Sequence, residues 1–151
     1  MGQSLVKNYI HIIFSTKDHL PLIKPSFEKE LYNYIGGICQ LQECKPLIVG
    51  GHLDHVHVLC MLSKKTTLVK LVQEIKTNSS RWSKKLNKIP GENFSWQNGH
   101  GAFSVNPREV DVVINYIKRQ HIHHAQKTFK QEYLTFLKQY KVDYNEEYLW
   151  S

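Results

Sequence analysis

The apolar positions of this chain come in two rhythms. The run Tyr9-Ile10-His11-Ile12-Ile13-Phe14-Ser15-Thr16 is short, β-rich and nearly continuous, which predicts a buried first strand. Pro21 and Pro25 punctuate the loop after it. From Ser26, a candidate N-cap, the spacing becomes helical, with Phe27, Leu31, Ile35 and Ile38 on one face. Gly36-Gly37 weakens the end of that helix. Two apolar runs over residues 46–49 and 52–62 suit strands that meet as a hairpin near Gly50-Gly51 or just after. Thr66 or Thr67 can cap a second helix, whose inner stripe is Leu68, Leu71, Val72, Ile75 and Trp82; Pro90-Gly91 ends it. Residues 94–97 and 102–105 flank the glycine-rich turn Asn98-Gly99-His100-Gly101. Asn106, Pro107 and Glu109 stand at the N-cap, N1 and N3 positions of a third helix carrying Val110, Val113, Ile114 and Ile117. A last amphipathic stretch over residues 128–140 has Phe129, Tyr133, Phe136, Leu137 and Tyr140. The order βαββαβ predicts one α+β domain: a ferredoxin-like antiparallel sheet with helices on one face, plus a C-terminal helix or tail from about residue 126.

With 151 residues the chain can bury a core without staples. Its net charge of +7 makes an anionic partner plausible. Cys39, Cys44 and Cys60 are odd in number and lack CxxC spacing, which argues against a disulfide framework or a structural zinc site. Reduced, buried thiols in a cytoplasmic protein are the plainer expectation. Neither a signal-peptide pattern nor a membrane-length apolar run is visible, so no membrane partner is expected.

Two elements carry candidate chemistry. The first is Asp54-His55-Val56-His57-Val58-Leu59. A strand has a side-chain period of two, so His55 and His57 share a face and can reach one ion. Asp54 can support a ligating imidazole from behind or simply turn the chain. The second is Tyr116-Ile117-Lys118-Arg119-Gln120, where a helix would project Tyr116 and Gln120 together. Together the two faces offer two imidazoles, an amide oxygen and a phenol. That set can hold a divalent metal over a phosphate and attack phosphorus with the tyrosine oxygen.

The His-hydrophobic-His step, the segment Trp96-Gln97-Asn98-Gly99-His100-Gly101-Ala102-Phe103-Ser104-Val105 and the tyrosine helix together resemble the HUH single-tyrosine transposases of bacterial insertion sequences. REP-associated tyrosine transposases are close relatives of that family. The resemblance covers about residues 5–125, in the right order. It implies that His55, His57 and Gln120 are metal ligands, with Mg²⁺ or Mn²⁺ as the ion. It also implies that Tyr116 is the nucleophile, forming a 5′-phosphotyrosine and freeing a 3′-hydroxyl. Its implied partners are single-stranded DNA hairpins at mobile-element ends and a second copy of the chain, as a homodimer. A position that the family usually fills with tyrosine is His100 here.

Rejoining from a phosphotyrosine needs no nucleotide hydrolysis, which accords with the lack of a P-loop motif and of any expected nucleotide cofactor. His121, His123 and His124 are a second source of ligands, though DNA contact or plain surface suits them as well. Residues 64–88 hold Lys64, Lys65, Lys70, Lys76, Arg81, Lys84, Lys85 and Lys88 against Glu74 alone. These, with Arg119, are candidate DNA-binding residues, or else a solvated helix face. Trp96, His100 and Phe103 are candidates for base stacking if exposed, although Trp96 and Phe103 equally suit the core. Two other readings stay open: a non-catalytic or domesticated DNA-hairpin-binding protein of the same fold, and a zinc hydrolase that would not need Tyr116.

Overall fold

The computed structural model describes residues 2–86 and 94–151; Lys88 and the expected stop at Pro90-Gly91 lie outside the described residues. The strands are β1 (Tyr9–Ser15), β2 (Lys45–His52), β3 (His55–Met61) and β4 (Gly101–Val105). They pair antiparallel in the order β2-β3-β1-β4. This is the split βαβ order, with α1 (Pro25–Leu41) and α2 (Leu68–Leu86) as the two crossovers. The β2–β3 hairpin turns at Leu53-Asp54, just past the two glycines, so that His52 pairs with His55.

Alternation along the strands sorts the core into two layers. Ile10, Ile12 and Phe14 of β1 and Val56, Val58 and Cys60 of β3 pack against Phe27, Leu31 and Ile35 of α1 and Leu71, Val72 and Ile75 of α2. Truncating a buried aromatic such as Phe14 in this layer would cost about 3–5 kcal/mol. The other face of the same strands presents His11, Ile13, His55, His57 and Leu59.

That second face is also covered. α3 (Val110–Lys118) and α4 (Gln120–His123) follow β4, and α5 (Phe129–Gln139) and α6 (Glu146–Leu149) complete the chain. Ile117 of α3 packs with Leu59 and Val105, while Phe129, Tyr133 and Leu137 of α5 pack with Ile13 and Phe103. The ferredoxin-like sheet therefore has helices on both faces, not on one. Six consecutive residues of β3, from His55 to Cys60, are buried, a pattern that needs cover on each side.

The helix ends differ from the sequence expectation in instructive ways. Ser26 caps nothing: Pro25 opens α1, and Lys24 precedes it without a side-chain cap. Thr67 does cap α2, its hydroxyl accepting the Lys70 N–H at 3.1 Å. Asn106 caps a short 3₁₀ turn over Pro107–Glu109, accepting from the Arg108 N–H at 2.9 Å, before α3 begins. The reciprocal capping box is found at α5, between Thr128 and Gln131, at 3.2 and 2.9 Å. Such a cap stabilises its helix by about 1 kcal/mol. Residues 94–97 form no strand; only Trp96 makes an isolated bridge, to Thr16. Cys39, Cys44 and Cys60 are buried and free. Among the described residues no helix is long and apolar enough to cross a membrane.

Candidate active site

The centre lies where β3 meets α3, α4 and α5. His55 and His57 project from the same face of β3 and are fully buried. Across 65 residues of chain, Gln120 brings its Oε1 to 2.8 Å from His55 Nε2. The helix bearing Tyr116 is interrupted at Arg119 (φ −100°, ψ 16°), so α3 and α4 are separate. The break leaves Tyr116 and Gln120 on one side, as their spacing predicted.

A carboxylate that the sequence reading missed joins them. Glu132 of α5 is 1% exposed. Its Oε1 lies 3.0 Å from His57 Nε2, 3.3 Å from His124 Nε2 and 3.4 Å from His55 Nε2. Its Oε2 accepts from Gln120 Nε2 at 2.9 Å and from the Tyr116 hydroxyl in a short hydrogen bond. A signal for Glu132 was present: Phe129, Glu132, Tyr133, Phe136 and Leu137 share one helical face, and an acid within an apolar stripe must find partners.

Behind the centre, Asp54 Oδ1 sits 2.8 Å from His55 Nδ1. His11, from β1, places its Nε2 2.8 Å from His57 Nδ1. With His57 Nε2–H donating to Glu132, His57 Nδ1 accepts and His11 Nε2–H donates. Both rear nitrogens are thus hydrogen-bonded; a His57 that held an ion through Nε2 would instead donate Nδ1–H to His11 Nε2, as ligating histidines usually do.

Burial and pairing set the charge states. Burial opposes the charged form of His55, but hydrogen bonds to Asp54 and Glu132 outweigh it and raise its pKa to about 9. Burial lowers the pKa of His57, and it lowers that of His11 further. Burial also opposes the Glu132 anion, yet hydrogen bonds from His124, His55 and His57 hold its carboxyl well below the usual range. Burial, and then the Glu132 charge, push the Tyr116 phenol upward.

These groups fit a divalent cation. His55, His57 and Glu132 offer ligand atoms within 4.8 Å of one another, all buried. Imidazoles suit Zn²⁺ and Ni²⁺ and hard oxygen donors suit Mg²⁺ and Mn²⁺, so the mixed set admits ions of either kind.

A family model described as "Transposase IS200 like" matches residues 4–120, more than three quarters of the chain. The chain belongs to the IS200-like transposase family. No curated protein matches it. Among solved structures it is similar to a provisionally named transposase from Deinococcus radiodurans, at 18% identity and a TM-score of 0.60, covering 80% of this chain and 96% of that one. It is also similar to a REP-associated tyrosine transposase solved with a REP hairpin, at 13% identity and a TM-score of 0.59, covering 82% of this chain and 73% of that one. At these identities the likeness shows the fold. In this IS200-like transposase the family match ends at Gln120, so Glu132 arrives from outside it.

The basic and aromatic candidates from the sequence lie apart from the centre. Lys64 and Lys65 precede α2, and Lys70, Arg81, Lys84 and Lys85 are exposed on it. α2 packs on the sheet face opposite the histidine pair. Lys76 is held by the carbonyls of Gln97, Asn98 and Gly99 at 2.7–3.1 Å, and burial lowers its pKa to about 8. With Gln73, Arg81, Lys84 and His100 it lines an open groove of about 690 Å³. Trp96 and Phe103 are core residues, 8% and 4% exposed. Arg119 is exposed at the helix break. Of the later histidines, His124 turns into the centre, at 3.0 Å from Gln120 Oε1. His123 stacks on the Tyr116 ring at 4.7 Å, and His121 pairs with Glu28 at 2.9 Å.

Proposed function

We propose that this IS200-like transposase is a metal-dependent enzyme that cleaves and rejoins single-stranded DNA through a 5′-phosphotyrosine on Tyr116. The observation that carries the reading is the convergence of the Tyr116 hydroxyl, the Gln120 amide and the His55–His57 pair on one buried point. His55, His57 and Gln120 hold the ion, Mg²⁺ or Mn²⁺, with the Glu132 charge beside them. A bound divalent ion supplies Lewis-acid neutralisation of the non-bridging phosphate oxygens.

The chain's own groups account for the rest. Tyr116 Oη forms a bond to the scissile phosphorus as the P–O3′ bond breaks, and the phenol proton is balanced by the one gained at the freed 3′-oxygen. A 3′-hydroxyl then attacks the phosphotyrosine, restores the diester and returns the phenol. One diester replaces another at each step, so no nucleotide is consumed. The partners are DNA hairpins at element ends, in keeping with the hairpin held by the REP-associated neighbour. A homodimer would bring two such ends together. The exposed basic face of α2 and Arg119 would track phosphates, weakening with salt by roughly 0.7 log units per contact for each tenfold rise in salt.

The test is strand cleavage of end-labelled single-stranded hairpins taken from the flanks of the gene. Cleavage is expected with Mn²⁺, absent with EDTA and absent in His57→Ala, which still binds the hairpin. Equal hairpin affinity with no cleavage by the unaltered protein under Mn²⁺ would instead make it a binding protein of the same fold.

A further inference from the structure

The structure assigns Glu132, a residue of α5 beyond the family match, as the positioning residue for the Tyr116 nucleophile of its own chain. This assignment rests on the phosphotyrosine reading above and concerns how that site is assembled.

α5 is anchored on the sheet by Phe129, Tyr133 and Leu137, which bury against Ile13 and Phe103. Its start is fixed by the Thr128–Gln131 capping box. Glu132 is therefore delivered by a docked helix turn, not by a surface side chain. One oxygen, Oε2, accepts both the Tyr116 hydroxyl and Gln120 Nε2, and the other faces the Nε2 atoms of His57, His124 and His55.

Two consequences follow from this division. A tyrosine side chain has two soft torsions, and Tyr116 is only part-buried, so packing alone does not fix its hydroxyl. Phe136 meets the ring edge-on at 5.7 Å and His123 stacks on it at 4.7 Å, which limits the ring plane. The hydroxyl itself is fixed by Glu132. The same oxygen orients the Gln120 amide: with Nε2 donating to Glu132, Oε1 is turned toward His55 at 2.8 Å. An amide flipped the other way would present its NH₂ to the ion. Nucleophile, amide, both imidazoles and the carboxylate meet here within one chain.

Holding a nucleophile within about 1 Å of its line of attack is worth as much as 100-fold in rate. The experiment measures covalent adduct formation on a labelled hairpin against Mn²⁺ concentration, for the wild type, E132A, E132D and E132Q. Alongside, Tyr116 is followed by ¹³Cζ-tyrosine NMR in the metal-free protein, assigned with Tyr116→Phe. E132A and E132D are expected to lower the maximal adduct rate at saturating Mn²⁺ by roughly 10- to 100-fold. Hairpin affinity should be unchanged. E132Q keeps an acceptor oxygen of the same reach and should restore most of the rate that E132A loses. The Tyr116 signal should move in E132A and return toward its place in E132Q.

A different pattern overturns the assignment. If E132A alters only the Mn²⁺ half-saturation point, Glu132 is a ligand and not a positioner. If E132Q is as slow as E132A, the charge matters and the contact does not. An equimolar mixture of His57→Ala and Tyr116→Phe that regains adduct formation would show that Tyr116 serves another subunit. Wild-type protein that gives no adduct while its Tyr116 signal still responds to E132A would overturn the reaction itself, and that outcome is distinct from the others.

Discussion

Gln120 Oε1 and His55 Nε2 lie 2.8 Å apart, joining a helix and a strand that are 65 residues distant in sequence. Neither residue is diagnostic alone. Their contact turns a histidine pair on a strand into a three-sided pocket of nitrogen and oxygen donors. Gln120→Ala removes one wall and leaves the imidazoles in place. We expect the Mn²⁺ dissociation constant to rise by roughly 10- to 100-fold, by analogy with other losses around a metal site. Calorimetric titration with Mn²⁺ checks this, and an unchanged affinity would remove Gln120 from the ligand set.

Burial opposes the charged form of His55, and Asp54 and Glu132 together outweigh it. The His55 pKa is raised to about 9 in the folded, metal-free protein, against an ordinary value of 6.5. A raised histidine pKa contributes stability that is fully present below about 6.5 and is lost as pH rises through about 9. Metal loading runs the other way, because the ion needs His55 unprotonated; affinity should climb across the same window, with a proton released on binding near neutral pH. Thermal melts of metal-free protein should therefore fall across this window, while Mn²⁺ affinity rises. Asp54→Asn should flatten both slopes. Flat slopes in the wild type would mean that His55 is already neutral.

Gly50 links packing to the position of Tyr116. A Cβ at this buried strand position would sit 2.8 Å from Ile117 Cγ2 and 3.2 Å from the Ile117 carbonyl oxygen. Ile117 neighbours Tyr116 on α3, so Gly50→Ala must push α3 off β2. Overpacking of this kind costs about 1–3 kcal/mol. The variant should melt earlier and form adduct more slowly, with hairpin binding preserved. A wild-type melting curve and rate would show that α3 yields without cost.

Much of this was legible in the sequence, and the exceptions have physical causes. The strands and first two helices follow from alternating and helical spacings that tertiary packing leaves intact. His55, His57, Tyr116 and Gln120 were visible because period two and period four place them on common faces. The second helical layer was not, because His11, Ile13, His55 and His57 alternate as a sheet face whose cover is decided by elements far along the chain. The Arg119 break escaped notice because no proline or glycine marks it. His124 was visible only as one of three candidate histidines, because which of them enters the centre depends on how α4 docks. Glu132 was missed because its role arises only from where α5 docks, and its one trace was an acid within an apolar stripe. The basic run of residues 64–88 was easy to see, but the sequence did not place α2 on the face opposite the histidines.

The central claim is that Tyr116 becomes covalently joined to DNA. The protein is mixed with a single-stranded hairpin carrying a label on the strand 3′ to the scissile phosphate, in Mn²⁺, and resolved on a denaturing gel. The shifted band is then digested and the modified peptide identified by mass spectrometry. The account predicts a labelled adduct mapped to Tyr116 and absent in Tyr116→Phe. Cleavage at the wild-type rate by Tyr116→Phe, with no adduct, would contradict it and point to metal-bound water as the nucleophile.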